Sequence, residues 1–166
     1  MGIEAMTTPD RPNRNHTLMA VAHILAHRST CTRSQVGAVI SLGGRILSTG
    51  YNGAPAGMPH CDHICTCNGS GIPPRAVPID GHQRACRYLM PCATAVHAEA
   101  NAIAYAARFG VALHGAALYT TMSPCLSCAQ FIISAGINEV FYGGEYRDNA
   151  GMKLLESAYV SQRKVL

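Results

Sequence analysis

The sequence predicts an α/β sandwich with a mixed β-sheet. Two observations carry this: helical periods alternate with short apolar strand-like runs, and two of those runs flank a Gly43-Gly44 pair that reads as a β-hairpin turn. A chain of 166 residues fits one domain with one core.

The elements follow in order. Residues 1–12 read as a flexible N-terminal tail, and residues 13–166 as the single domain. From Asn13 or Asn15, both suited to N-caps, a helix runs to about Arg28, with Leu18, Val21, Ala22 and Leu25 as its apolar stripe. Val36 to Leu42 and Arg45 to Tyr51 form the hairpin. Ala100, Ile103, Ala104 and Ala107 mark a helix from about His97 to Gly110. Ala116 to Thr121 reads as a strand. Ser123 as N-cap and Pro124 as N1 open the next helix, whose stripe is Leu126, Ala129 and Ile133 and whose stop is Gly136. Glu139 to Tyr142 is a short strand, 149–157 a last helix and 159–166 an edge strand.

Between the hairpin and the second helix the chain changes character. Residues 53–92 hold six of the nine prolines, five of the eight cysteines and three of the eight histidines, with no persistent period. A Cys/Pro/Gly-rich insert of this length, about 57–92, is improbable inside a compact domain unless something such as a metal holds it.

Composition narrows the function. The net charge is +4 and only 13% of residues are charged, a mild excess unsuited to a duplex-binding protein but suited to a small anionic ligand. Eleven of the 13 basic residues are Arg. So charge-poor a surface points to self-association. No apolar run is long enough to span a membrane, and the N-terminus lacks the apolar stretch of a secretory signal, so the expected location is cytoplasmic. There, eight cysteines favour metal ligation or catalysis over disulfides.

Two segments carry the chemistry: His97-Ala98-Glu99 and Pro124-Cys125-Leu126-Ser127-Cys128. Each opens a helix. Cys125 and Cys128 share one face of a first turn, where the positive helix end favours thiolates. Two thiolates and the His97 imidazole make a three-ligand tetrahedral zinc site with an open fourth position for water. Glu99, about 200° from His97 on a helix, is placed to reach that water and act as a proton shuttle. A lone CxxC is often a structural zinc knuckle or a redox pair. Combined in this order, however, H-x-E and P-C-x-x-C form the signature of zinc deaminases.

On these residues the chain resembles the cytidine deaminase superfamily, and within it the deoxycytidylate (dCMP) deaminases. The narrower likeness rests on Val36-Gly37-Ala38-Val39-Ile40, Gly50-Tyr51-Asn52-Gly53-Ala54-Pro55-Ala56-Gly57, His97 through Ile103, and Ser123-Pro124-Cys125 with Cys128-Ala129 and Ala135-Gly136-Ile137. Ala100, after HAE, departs mildly from the family's usual Leu, Gln or Met.

The resemblance implies a three-layer α-β-α sandwich with a five-stranded mixed sheet, assembled as a homo-oligomer, with a hexamer expected. It implies hydrolysis of dCMP to dUMP and ammonia by a zinc-activated water with Glu99 as shuttle, supplying dUMP for thymidylate synthesis. The Ala98 N–H would hold the base carbonyl, the Ser123 carbonyl would receive the amine, and Asn52 would bond the sugar. Gly50 and Gly53 would let their turn approach a ligand, although Asn52-Gly53 also reads as a plain β-turn. Arg33 and Arg147 would clamp the 5′-phosphate with Thr32 and Ser34 assisting, and Tyr146 would meet the nucleotide; each also reads as a solvated surface residue. A dCTP activator and a dTTP inhibitor, with Mg²⁺ on the triphosphate, would use Gly53 in the 50–57 turn. Tyr105 and Arg108 would carry the signal between subunits, or simply pack. Relatives also imply a second, structural zinc on Cys31, Cys61, Cys92 and Cys65 or Cys67, with Cys65 preferred and Cys86, His60, His63 and His82 as substitutes. Free thiols or a disulfide are its alternatives.

The rival functions are deamination of tRNA adenosine, of a free nucleoside or of a 5-substituted dCMP, and a non-catalytic zinc-binding protein. The 57–92 insert and the modest charge speak against tRNA. The intact His97, Glu99, Cys125 and Cys128 speak against a non-catalytic role.

Overall fold

A computed structural model describes residues 11–31, 34–58, 60 and 95–165. The tail up to residue 10, most of the insert, Thr32, Arg33, Cys61, His63, Cys65, Cys67, His82, Cys86 and Cys92 lie outside the described residues.

Five strands form one sheet in the order β2-β1-β3-β4-β5: β1 Gly37–Leu42, β2 Arg45–Tyr51, β3 Ala117–Met122, β4 Glu139–Gly144 and β5 Ser161–Lys164. β1 is antiparallel to β2 and β3, whereas β3, β4 and β5 run parallel. The sheet is therefore mixed. The helices are α1 Arg14–Ala26, α2 Ala98–Arg108, α3 Leu126–Ser134 and α4 Ala150–Ser157.

The alternation of strand side chains builds two cores. On one face Val39, Tyr119 and Phe141 pack with Leu18, Met19 and Ala22 of α1. The Tyr119 and Phe141 rings, in register on neighbouring strands, stack with centroids 4.6 Å apart. On the other face Ala38, Ile40, Leu118 and Val140 meet Ala102, Ile132 and Leu155 of α2, α3 and α4. One helix on one side and three on the other complete the three layers.

The helix limits follow local chemistry. Asn13, not Asn15, caps α1: its side chain accepts the Asn15 N–H at 2.8 Å. α2 and α3 close on left-handed Gly110 and Gly136, with Val111 donating to the Ala106 carbonyl and Ile137 to the Ile132 carbonyl.

The sequence readings of α2 and α3 are corrected. Ser123 is not the α3 cap; Cys125 is, with extended backbone, and the Ser123 hydroxyl accepts the Tyr146 N–H instead. The buried stripe of α2 is Ala98, Ala102 and Ala106; of the expected stripe, Ile103 packs against this core from its edge and Ala100 is half-buried, while Ala104 and Ala107 are exposed. An alanine-rich helix looks apolar on every side, so its period does not single out a face. In α1 the expected Leu18, Val21, Ala22 and Leu25 all face the core, joined by Met19 and Ala26. In α3 Ala129 and Ile133 do so with Cys128 and Ile132, while Leu126 is exposed.

Gly50 explains the choice of face in α2. A Cβ there would lie 2.6 Å from the Ala102 nitrogen and collide with the Ala98 carbonyl. Gly50 thus admits the helix backbone against β2, rather than a ligand. Ser48 Oγ donates to the Ala102 carbonyl at 2.6 Å and Asn101 Nδ2 to the Tyr51 carbonyl at 2.9 Å, fixing the same contact. Replacement Gly50→Ala should overpack it by about 1–3 kcal/mol and lower Tm by roughly 3–10 °C. An unchanged Tm in a thermal melt would contradict the close approach.

Candidate active site

Two helix starts converge above the sheet. His97 is the N-cap of α2, and Cys125 and Cys128 are the N-cap and third helical residue of α3. Because His97 is extended, it leans out of the helix while Glu99, in the first turn, points inward and is buried. The His97 Nδ1 lies 3.4 Å from the sulfur of Cys125 and 3.4 Å from that of Cys128. Zinc bonded to sulfur at about 2.3 Å and nitrogen at about 2.0 Å in a tetrahedron sets the two ligands about 3.5 Å apart. The spacing and the donor set both fit zinc. These three side chains are the one such metal-competent group among the described residues.

The proton inventory agrees. The Cys125 thiol is pulled down to about 4, first by the hydrogen bond from the Cys128 thiol and then by His97, against the opposing effect of burial. Cys128 is pushed up as the donor of that bond, and burial and the Glu99 charge add to this. His97 is raised, chiefly by its bond with Cys125. Zinc binding at these three side chains would release the protons they hold. Glu99 is raised above the usual carboxylate range, chiefly by burial. A carboxyl so placed can hold a proton and give it up.

Each ligand is positioned by its surroundings. Gly53 and Val96 exchange backbone hydrogen bonds of 3.1 and 2.9 Å, which fixes the approach to His97. Gly151 of α4 abuts the α3 start: a Cβ there would collide with the Pro124 carbonyl and lie 2.6 Å from the Cys125 carbonyl carbon.

A cavity of about 260 Å³ opens beside the trio. Its floor holds His97, Ala98, Glu99 and Cys125, and Met122 and Ser123 come from the end of β3. Glu145, Tyr146 and Arg147, after β4, form one wall, and Cys31, Ser34, Val36 and Asn52 another. The Arg147 guanidinium stacks 5.4 Å from the centre of the Tyr146 ring, and its charge bears on His97.

Among the described residues predicted for the site, His97, Ala98, Glu99, Ser123, Cys125, Tyr146, Arg147 and Asn52 all line this cavity, with Cys128 beside it. The Asn52 amide also does structural work: Oδ1 accepts the Val36 N–H at 2.8 Å and Nδ2 donates to the Ser34 carbonyl at 2.8 Å. Cys31, predicted for a second metal, lines the cavity as well. Tyr105 and Arg108 do not line it. They sit on the outer face of α2, where the Tyr105 ring is 4.7 Å from that of Phe109. Sequence reasoning missed Glu145, Met122 and Gly151. For Glu145 the signal was its place beside Tyr146-Arg147; for Gly151 it was a glycine inside a short helix, a hint of close packing.

The fold and the trio define a zinc-dependent enzyme site of the deaminase type. Residues 12–144 match the family model described as cytidine and deoxycytidylate deaminase zinc-binding region, and the chain belongs to that family. It is 36% identical over 152 residues to the deoxycytidylate deaminase of Enterobacteria phage T2, covering 80% of this chain and 81% of the phage protein. It is 39% identical over 158 residues to ComE operon protein 2 of Bacillus subtilis, covering 94% of this chain and 73% of that protein. The dCMP deaminase of cyanophage S-TIM5, solved in complex with dCMP and dUMP, superposes with a TM-score of 0.72 at 28% identity, covering 93% of this chain and 98% of that one. No described helix is long and apolar enough to cross a membrane.

The contact at Gly151 yields a test remote from the ligands. Gly151→Ala should displace the Cys125 backbone and weaken zinc binding at least about tenfold, as loss of a supporting shell does in other metal sites. Competition with a chromogenic chelator measures this; wild-type affinity would show that α4 does not position the ligand.

Proposed function

We propose that this chain deaminates dCMP hydrolytically to dUMP and ammonia, which would supply dUMP for thymidylate synthesis. The observation that carries the reading is the buried Glu99 carboxyl lining the same cavity as His97 and Cys125 of the metal-competent trio, with Arg147 and Tyr146 on its wall. The dCMP- and dUMP-bound cyanophage relative supports the choice of nucleotide.

Zinc held by His97, Cys125 and Cys128 would supply a Lewis acid that makes water nucleophilic at neutral pH. The protein's own groups do the rest. Glu99 takes a proton from the attacking water and delivers it to N3 of the cytosine; the hydroxyl now on C4 then gives its proton to Glu99, which passes it to the amine as the C4–N bond breaks and the C4 carbonyl forms. The Ala98 N–H, at the open start of α2, holds the base carbonyl, and the Ser123 carbonyl receives the amine. Asn52 bonds the sugar from a position fixed by its bonds to Val36 and Ser34. Arg147 and Arg33 hold the 5′-phosphate, and Tyr146, stacked under Arg147, meets the nucleotide.

Three further assignments belong to this reading. A second, structural zinc on Cys31, Cys61, Cys65 and Cys92 holds the insert; the Thr30 Oγ1 to His60 Nδ1 contact of 3.1 Å, one residue from Cys31 and from Cys61 in sequence, supports it. A dCTP activator and a dTTP inhibitor, each with Mg²⁺, act at the turn containing Gly53, whose bonds to Val96 lead directly to His97. Tyr105 and Arg108 relay the effect within a cytoplasmic homo-oligomer, a hexamer; the exposed Tyr105-Phe109 pair supports a subunit contact there.

A deamination panel tests the main reading: dCMP, CMP, deoxycytidine and 5-substituted dCMP, each with and without dCTP or dTTP. The reading predicts the highest kcat/KM for dCMP, sigmoidal kinetics made hyperbolic by dCTP, and a Glu99→Gln variant that keeps zinc and fold but loses turnover. Preference for deoxycytidine, or activity within about tenfold of wild type for Glu99→Gln, would contradict it. Metal analysis should find two zincs per chain, falling to one in Cys31→Ser. A single zinc in the wild-type protein would remove the structural site.

A further inference from the structure

The Ser123 hydroxyl has no part in the reaction described above, yet it is buried directly behind the cavity. Its oxygen accepts the Tyr146 N–H at 2.7 Å, while the Ser123 N–H donates to the Gly144 carbonyl at 2.8 Å. One residue at the mouth of α3 therefore clamps the end of β4 by two bonds and turns the Glu145–Arg147 segment over the cavity. The segment's outer tie is the Lys164–Glu145 ion pair of 2.9 Å, which is largely exposed. An exposed pair of this kind contributes little, whereas the part-buried N–H of Tyr146, deprived of its acceptor, loses a short bond. The inner bond is thus the one that sets where Tyr146 and Arg147 stand.

We infer that the Ser123 side chain is a positioning residue for nucleotide binding: its hydroxyl holds Tyr146 and Arg147 in place for an anionic nucleotide, separately from any contact made by the Ser123 carbonyl. This rests on the assignment of Arg147 to the 5′-phosphate. The hydroxyl ties the loop that grips the phosphate to the strand end that leads into Pro124 and Cys125. Its loss should weaken binding of the phosphorylated ligand while leaving the metal and the proton shuttle intact.

The experiment measures dCMP and deoxycytidine affinities by calorimetry in a zinc-loaded Glu99→Gln background, where turnover does not interfere. Adding Ser123→Ala should weaken dCMP about tenfold or more and deoxycytidine less than about threefold, with zinc content unchanged. In an Arg147→Ala background the same change should cost dCMP clearly less than in its presence, since much of its effect passes through Arg147. Ser123→Thr, which keeps the hydroxyl, should restore dCMP affinity, and Lys164→Ala should alter it by less than about twofold. In otherwise wild-type enzyme, Ser123→Ala should raise KM for dCMP with little change in kcat. If Ser123→Ala loses its zinc or fold, Ser123→Cys, similar in size but a weak acceptor, replaces it. Equal weakening of both ligands, additivity with Arg147→Ala, or unchanged dCMP affinity would overturn the inference. Failure of the Glu99→Gln parent to bind dCMP would instead overturn the dCMP reading, and this inference with it.

Discussion

The structure depends on one junction, where the N-termini of two helices meet at three ligand atoms. His97 and Cys125 are both N-cap residues with extended backbone, and neither side chain caps its own helix. Their side chains are turned toward each other, and Cys128 completes the set one turn into α3. Helix N-termini carry partial positive charge, so converging two of them is unfavourable unless negative charge stands between. The Cys125 thiolate supplies that charge, and a zinc ion bound by the trio would make Cys128 a second thiolate and join the two helix starts. Structural and chemical demands thus meet at the same atoms.

The sheet makes this junction rigid. Gly50 brings α2 onto β2, and Gly151 brings α4 onto the start of α3; each is a backbone contact that a methyl group would block. A wall of the cavity is made by three chain segments bonded in series. Asn52 is tied to Val36, the adjacent Gly53 to Val96, and Val96 leads into His97. The opposite wall leaves β4 through Ser123. Asn52 and Ser123 on the two walls are thereby each tied by hydrogen bonds to the ends of the strands.

Much of this was legible in the sequence, and the reasons differ by element. The strands around Val39, Leu118 and Val140 were readable because short β-branched and aromatic runs bounded by glycine have few alternatives. His97, Glu99, Cys125 and Cys128 were readable because their residue types are rare together and their spacing matches a known chemical pattern. The buried face of α2 was misread in part, at Ala104 and Ala107, where a run of alanines made the helical period degenerate. The α3 cap was misassigned because Ser123 has good capping chemistry, but the tertiary bond to Tyr146 engages its hydroxyl. Gly50 was read as a ligand approach, whereas the close partner is helix backbone, which sequence spacing alone does not reveal.

The central claim, that a single metal clamps both helix starts, is tested most directly by amide hydrogen exchange with and without zinc. The Asn101 N–H donates to the His97 carbonyl and the Ala129 N–H to the Cys125 carbonyl, each at 2.9 Å, so these two amides report on the two helix starts. The account predicts that removing zinc with a chelator speeds exchange at both together, while amides of the β1–β3 pairing keep their protection. Acceleration at only one of the two, or at neither, would contradict it.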